Sequence, residues 1–179
     1  MPHRPRRPLQ DQSRPRAPLY TPAERARRDA SRWTLVQGIL APLQFLVFAV
    51  SVALVLRFLW TGEGYMAATV SIVIKTLVLY TIMVTGAIWE HDVFGRYLFA
   101  PAFFWEDVVS FAVIGLHTAY LYALFAGALE ARQQMWLALA AYATYLANAA
   151  QFLLKLRAAR LDEACRRAES VTGSVEYAK

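Results

Sequence analysis

Between residues 34 and 156 the chain repeats one pattern four times, a long apolar run closed by a short polar break. The runs lie at about 34–59, 67–88, 107–128 and 135–156. Each is near the roughly 20 residues that a helix needs to cross hydrocarbon. Trp60-Thr61-Gly62-Glu63-Gly64 is a glycine turn and Leu129-Glu130-Ala131-Arg132 a tight polar one, while the middle connection, Trp89 to Trp105, is longer, aromatic and carries Pro101. Short links between neighbouring helices predict antiparallel packing. The pattern therefore predicts an all-α, polytopic membrane protein whose domain, 34–156, is an antiparallel bundle of four transmembrane helices.

The flanks have a different pattern. Six of the eight prolines fall in the first 22 residues with arginines between them, which predicts a disordered basic arm over 1–20. Thr21-Pro22-Ala23-Glu24 has Thr at the cap, Pro at the first helical position and Glu placed to reach back to the cap amide. An amphipathic helix over 21–33, carrying Arg25, Arg27, Arg28 and Arg32, is expected to lie on an anionic membrane surface. Residues 157–179 read as a polar cytoplasmic tail.

Composition sharpens this. The chain is 58% hydrophobic and only 18% charged, against about 25% charged for a soluble domain. That excludes a disordered chain or one that coats nucleic acid. The formal charge of +6 sits in the flanks: residues 1–33 carry a net +6, residues 34–154 a net −2 and the rest a net +2. Lys and Arg mark the cytoplasmic side. Both termini and the Arg96 loop are thus expected on the cytoplasmic side of the membrane, with the Glu63 and Glu130 loops opposite. No secretory signal peptide is expected, because the first apolar run starts late and is too long. The lone cysteine, Cys165, has no partner for a disulfide or a thiolate metal site.

Polar residues inside a span are costly, about 2.5 to 3.5 kcal/mol for Lys or Asp at the centre, so each is a candidate for function. Gln44, Lys75, His117 and Asn148 fall near mid-span. Gln37, Glu90, His91, Asp92, Glu106, Asp107, Gln151 and Lys155 fall near the cytoplasmic ends. Helical spacing puts Gln37, Gln44 and Ser51 on one face, Glu106, Ser110 and His117 on another, and Thr144, Asn148, Gln151 and Lys155 on a third. One polar stripe per helix predicts a pocket or half-channel open to the cytoplasm, and Pro42 frees a backbone carbonyl in its wall. Each residue also has a plainer reading: amides that join helices, a lysine paired with a carboxylate, a satisfied core histidine.

Glu90 closes the second span and Glu106-Asp107 opens the third, bracketing the aromatic loop. Acids are favoured at a helix N-terminus, which accounts for Glu106 and Asp107, but not for Glu90 at a C-terminus. These three are the candidate general acid and base. The chain lacks a phosphate-cradling glycine loop, a cysteine cluster, a zinc helix and a nucleophile elbow.

The run Trp33-Thr34-Leu35-Val36-Gln37-Gly38-Ile39-Leu40-Ala41-Pro42-Leu43-Gln44-Phe45, the segment Lys75-Thr76-Leu77-Val78-Leu79-Tyr80-Thr81, the stretch from Phe94-Gly95-Arg96 through Leu98 to Trp105-Glu106-Asp107, and Asn148-Ala149-Ala150-Gln151-Phe152-Leu153-Leu154-Lys155-Leu156-Arg157 closely resemble the BchF family, the vinyl bacteriochlorophyllide hydratases of bacteriochlorophyll biosynthesis in phototrophic bacteria. The resemblance covers roughly residues 18 to 162. It implies a hydro-lyase that adds water to the C3-vinyl group of chlorophyllide a, giving the 3-(1-hydroxyethyl) product, in the photosynthetic membrane.

That chemistry needs an acid, a base and a flat apolar slot, and no redox cofactor. Magnesium enters only with the chlorin. Glu90, Glu106 and Asp107 are then the expected catalytic groups. His117 is a candidate ligand to the substrate magnesium. Lys75, Gln44, Asn148, Gln151 and Gln37 are candidates for substrate binding, with Arg96, Lys155 or Arg157 to meet the propionate. Expected partners are the chlorin, lipid, other pigment-synthesis enzymes and a second copy of the chain, and not nucleic acid. Two rivals remain, a chlorin carrier without catalysis and a small proton-coupled transporter.

Overall fold

The computed structural model describes residues 19–176, omitting the side chains of 162, 163 and 165–176. The basic arm up to residue 18 and the last three residues lie outside the described part, as do the side chains of Cys165, Arg166 and Arg167. Among the described residues all regular structure is helical: α1 (Pro22–Ala30), α2 (Arg32–Thr61), α3 (Tyr65–Phe94), α4 (Phe104–Ala126) and α5 (Ala131–Glu176). Four of them, α2 to α5, contain segments long and apolar enough to cross a membrane.

Local chemistry sets the boundaries. The Thr21 hydroxyl accepts from the Glu24 amide while the Glu24 carboxylate accepts from the Thr21 amide at 2.7 Å, a reciprocal cap that starts α1. This helix stops at Ala30 instead of Trp33, because Ser31 takes extended backbone and its hydroxyl caps the Trp33 amide to start α2. Gly95, at φ 76°, closes α3 in the left-handed region that glycine enters without steric cost. Trp89–Phe94 and Phe104–Trp105, expected in the middle connection, are therefore helical, leaving only 95–103 as loop. The expected tail is also helical to Glu176. Its Ala-, Arg- and Glu-rich sequence contains no proline to break it.

Hydrogen bonds set the register. On α2 and α3, Ser31 pairs with Asp92 (2.8 Å), Thr34 with Trp89 (3.0 Å), Gln37 with Thr85 (2.8 Å) and Ser51 with Ser71 (2.8 Å). Numbers rise on one helix as they fall on the other, so the two run in opposite directions. Glu106 with Lys155 and Ser110 with Asn148 give α4 and α5 the same relation.

Side chains from all four long helices fill the main core, including Val55, Ile72, Val113 and Tyr142. A second, aromatic cluster sits at the loop end and joins Tyr20, Val93 and Phe103 with Trp89, Phe94 and Phe152. Tyr20 is thus packed instead of belonging to a loose arm; its ring stacks on Phe94 at 5.8 Å and is withdrawn from solvent.

Candidate functional site

Two polar assemblies lie inside this apolar frame, as two layers. The first is at mid-bundle. Lys75 and His117, both at 0% exposure, meet with Nζ 2.8 Å from Nε2. The other ring nitrogen, Nδ1, lies 2.8 Å from the Val113 carbonyl oxygen, which can only accept. Nδ1 therefore carries the ring proton and Nε2 accepts from the lysine. Lys75 Nζ also lies over the Tyr145 ring, 4.0 Å from its centroid, where the ring face favours a cation. Beside it, the Tyr142 hydroxyl bonds Ser51, and Ser51 bonds Ser71, so α2, α3, α4 and α5 are tied at this level. No carboxylate of the described residues pairs with Lys75.

The second layer is at the loop end. Glu90, Glu106 and Asp107 are all buried. Asp107 accepts from the Phe99 amide at 2.7 Å and Glu90 from the Ala100 amide at 3.3 Å. The two carboxyl groups thus hold adjacent amides of the loop and lie close enough to interact electrostatically. Glu106 instead takes the Lys155 ammonium at 2.6 Å, and that ammonium sits 4.9 Å from the Phe103 ring centre. Phe99 has φ 57°, a left-handed conformation uncommon for a bulky residue. Its ring stacks on Phe111 at 5.6 Å and packs on Phe104 at 5.6 Å. The loop is thus held down by two carboxyl groups from below and an aromatic contact from the side. Glu90 owes its place at a helix C-terminus to this loop amide and to Asp107.

A family model described as 2-vinyl bacteriochlorophyllide hydratase (BCHF) matches residues 20–158. The chain belongs to this family. Two curated relatives carry the name 2-vinyl bacteriochlorophyllide hydratase. The one from Rhodobacter capsulatus is 71% identical over 157 residues, covering 88% of this chain and 91% of the relative. The one from Cereibacter sphaeroides is 74% identical over 148 residues, covering 83% and 92%. No solved structure matches the chain.

In this member of the hydratase family, the residues expected at the site fall into three groups. Glu90, Glu106, Asp107 and Lys155 are brought together at the loop end, and Lys75 and His117 at mid-bundle. Gln44 is buried between the layers, and Asn148 donates to Ser110 there at 2.7 Å. Gln37 instead joins α2 to α3 through Thr85 and lies against Gly86. Gln151 and Arg96 are exposed and outside both layers; Gln151 shares a turn with Asn148, but its side chain leaves the bundle. Gln44, Lys75 and His117 are sealed from solvent at 2%, 0% and 0% exposure, so no open half-channel reaches them. A cleft of about 380 Å³ lies at the opposite end, lined by Phe58, Gly62, Glu130, Ala131 and Arg132, far from either layer.

His117 has both ring nitrogens engaged, so magnesium ligation there would require losing Lys75 or the Val113 carbonyl. Among the described histidines, His91 is the exposed one, stacked on Tyr97 at 4.2 Å. Sequence reasoning missed the tyrosines. Tyr142 and Tyr145, three apart on α5, enclose Lys75, and only their shared helical face could have signalled it. It missed Phe99 as well, whose role depends on a backbone conformation with no signature of its own.

Proposed function

We propose that the chain hydrates the vinyl group of a chlorophyllide, with the Glu90–Asp107 pair as acid and base. The observation that carries this reading is the pair of buried carboxyl groups held on adjacent loop amides, Glu90 on Ala100 and Asp107 on Phe99, together with the curated relatives' name. Two carboxyl groups placed this near each other in a water-poor site do not both ionise readily, so one of them holds a proton. The protonated member gives its proton to the terminal vinyl carbon, forming a C–H bond as the π pair is lost. The resulting cation is conjugated with the macrocycle. Water adds to it through oxygen, and its released proton passes to the carboxylate member. The proton then passes from one carboxyl group to the other and restores the starting pair.

The backbone of Phe99 and Ala100 lies over the pair, so substrate contact requires this loop to swing aside. The exposed rings of Phe99, Phe104 and Phe111 supply the flat apolar wall, facing lipid or a second copy. Arg96 and Arg157, both exposed at this end, are suited to the propionate; Lys155 is committed to Glu106. No cofactor is needed beyond the magnesium that the chlorin brings. The basic flanks favour a cytoplasmic-membrane protein with both ends in the cytoplasm, and α1 lying on the membrane surface.

The test is incubation of membranes containing the chain with chlorophyllide a, following absorbance and mass. Gain of one water, with label from H₂¹⁸O in the product, is expected. Recovery of unchanged substrate from active, correctly inserted protein overturns the proposal. Because His117 is sealed inside the bundle, a carrier that holds its pigment through that residue is disfavoured.

A further inference from the structure

We propose that Gln44 and Asn148 form an internal water-binding site, and that this site feeds the carboxyl layer during hydration. Gln44 is 2% exposed, yet neither its amide nitrogen nor its amide oxygen has a hydrogen-bond partner among the described residues. The same holds for the side-chain oxygen of Asn148. Buried polar groups are nearly always satisfied, and more strictly so in a membrane interior.

The register brings the two amides together. Ser51 bonds Tyr142, and Phe48 packs on Tyr145 at 5.1 Å. One helical turn further toward the loop end, α2 presents Gln44 and α5 presents Asn148. Both therefore lie between the Lys75–His117 contact and the Glu106–Lys155 pair.

The open groups also select their ligand. Gln44 Oε1 and Asn148 Oδ1 need donors, and Gln44 Nε2 needs an acceptor. An anion has no proton to give the two oxygens, and a metal cation cannot accept from the nitrogen. Water does both, with two protons to give and lone pairs to accept. Asn148 already donates to Ser110, and Ser110 lies one turn from Glu106 on α4. Bound water at this site thus continues a polar path from the Lys75 level to the carboxyl layer. That last role rests on the hydratase reading; the water site itself does not.

The experiment is X-ray hydroxyl-radical labelling of the full chain in lipid nanodiscs, read by mass spectrometry, with thermal unfolding of the same samples. Radicals form from water at the site, so buried Phe48 and Tyr145 are expected to be labelled. Labelling is expected to fall several-fold in Gln44→Leu/Asn148→Leu. Thermal unfolding gives an independent sign. Removing an amide that binds water lowers the midpoint, whereas removing a truly unsatisfied one raises it; Gln44→Met is read alongside as the closest apolar shape.

Unlabelled core rings together with raised midpoints overturn the water site. A full turnover rate in the double variant overturns the supply role. Labelling as expected in a chain that never hydrates chlorophyllide leaves the water site standing and removes the hydratase reading instead.

Discussion

Lys75 on α3 and His117 on α4 satisfy each other at 2.8 Å with no solvent contact, an imidazole nitrogen accepting from the buried lysine amine. A partnered polar group is tolerated inside a bundle; an abandoned one is not. His117→Ala is expected to lower stability by roughly 2–4 kcal/mol, and Lys75→Met/His117→Phe to recover part of that loss, since both polar partners leave together. Unfolding in detergent checks this. The same His117→Ala protein, where folded, is expected to keep any preference for magnesium chlorins over metal-free ones. Loss of that preference in a binding titration would return the ligand role to His117.

Glu90→Gln and Asp107→Asn retain an oxygen that accepts from the Ala100 and Phe99 amides, so the loop stays anchored. What they lose is the transferable proton. Each is expected to cut turnover by about 10²- to 10⁴-fold with little change in thermal midpoint. A near-normal rate in both variants would exclude the pair from catalysis.

Phe99 is held at φ 57°. A β-branched residue fits that backbone poorly, so Phe99→Val adds a cost of roughly 1–2 kcal/mol to the loss of the Phe111 stack. Phe99→Gly loses the stack but none of the backbone fit. Protease cleavage within 95–103 is expected to be fastest for the valine variant. Equal rates for the two would place the loop's stability in its side chains alone.

Accessibility labelling tests the orientation. In a Cys165→Ser background, Glu63→Cys is expected to react with an impermeant maleimide from the periplasmic face, and Arg96→Cys only in inside-out vesicles. The reverse pattern would invert the bundle and move the carboxyl layer to the other side.

The four spans were legible because a membrane helix shows its length directly in hydropathy. Their ends were less so. Trp89 to Phe94 looked like loop on composition, but a helix continues until something stops it, and the stop is Gly95. The buried polar residues were legible one by one, because each is an anomaly within an apolar run. Their partners were not, since pairing depends on register: no pattern in α3 alone says that Lys75 reaches a histidine. Gln151 shows the opposite failure. Its spacing from Asn148 put it on the polar stripe, yet in the bundle that angle faces outward.

Lys75 and His117 are separated by 42 positions and belong to different hairpins, α2–α3 and α4–α5. During synthesis the first hairpin leaves the ribosome while the imidazole that will accept from Lys75, 42 positions later in the chain, is still enclosed behind it. Until the second hairpin arrives, Lys75 has to be sheltered, by water at the insertion site or by the insertion machinery itself. The contact that closes the finished bundle therefore sets a delivery order, and an early-released α2–α3 fragment is expected to be recognised by the cell as unfinished.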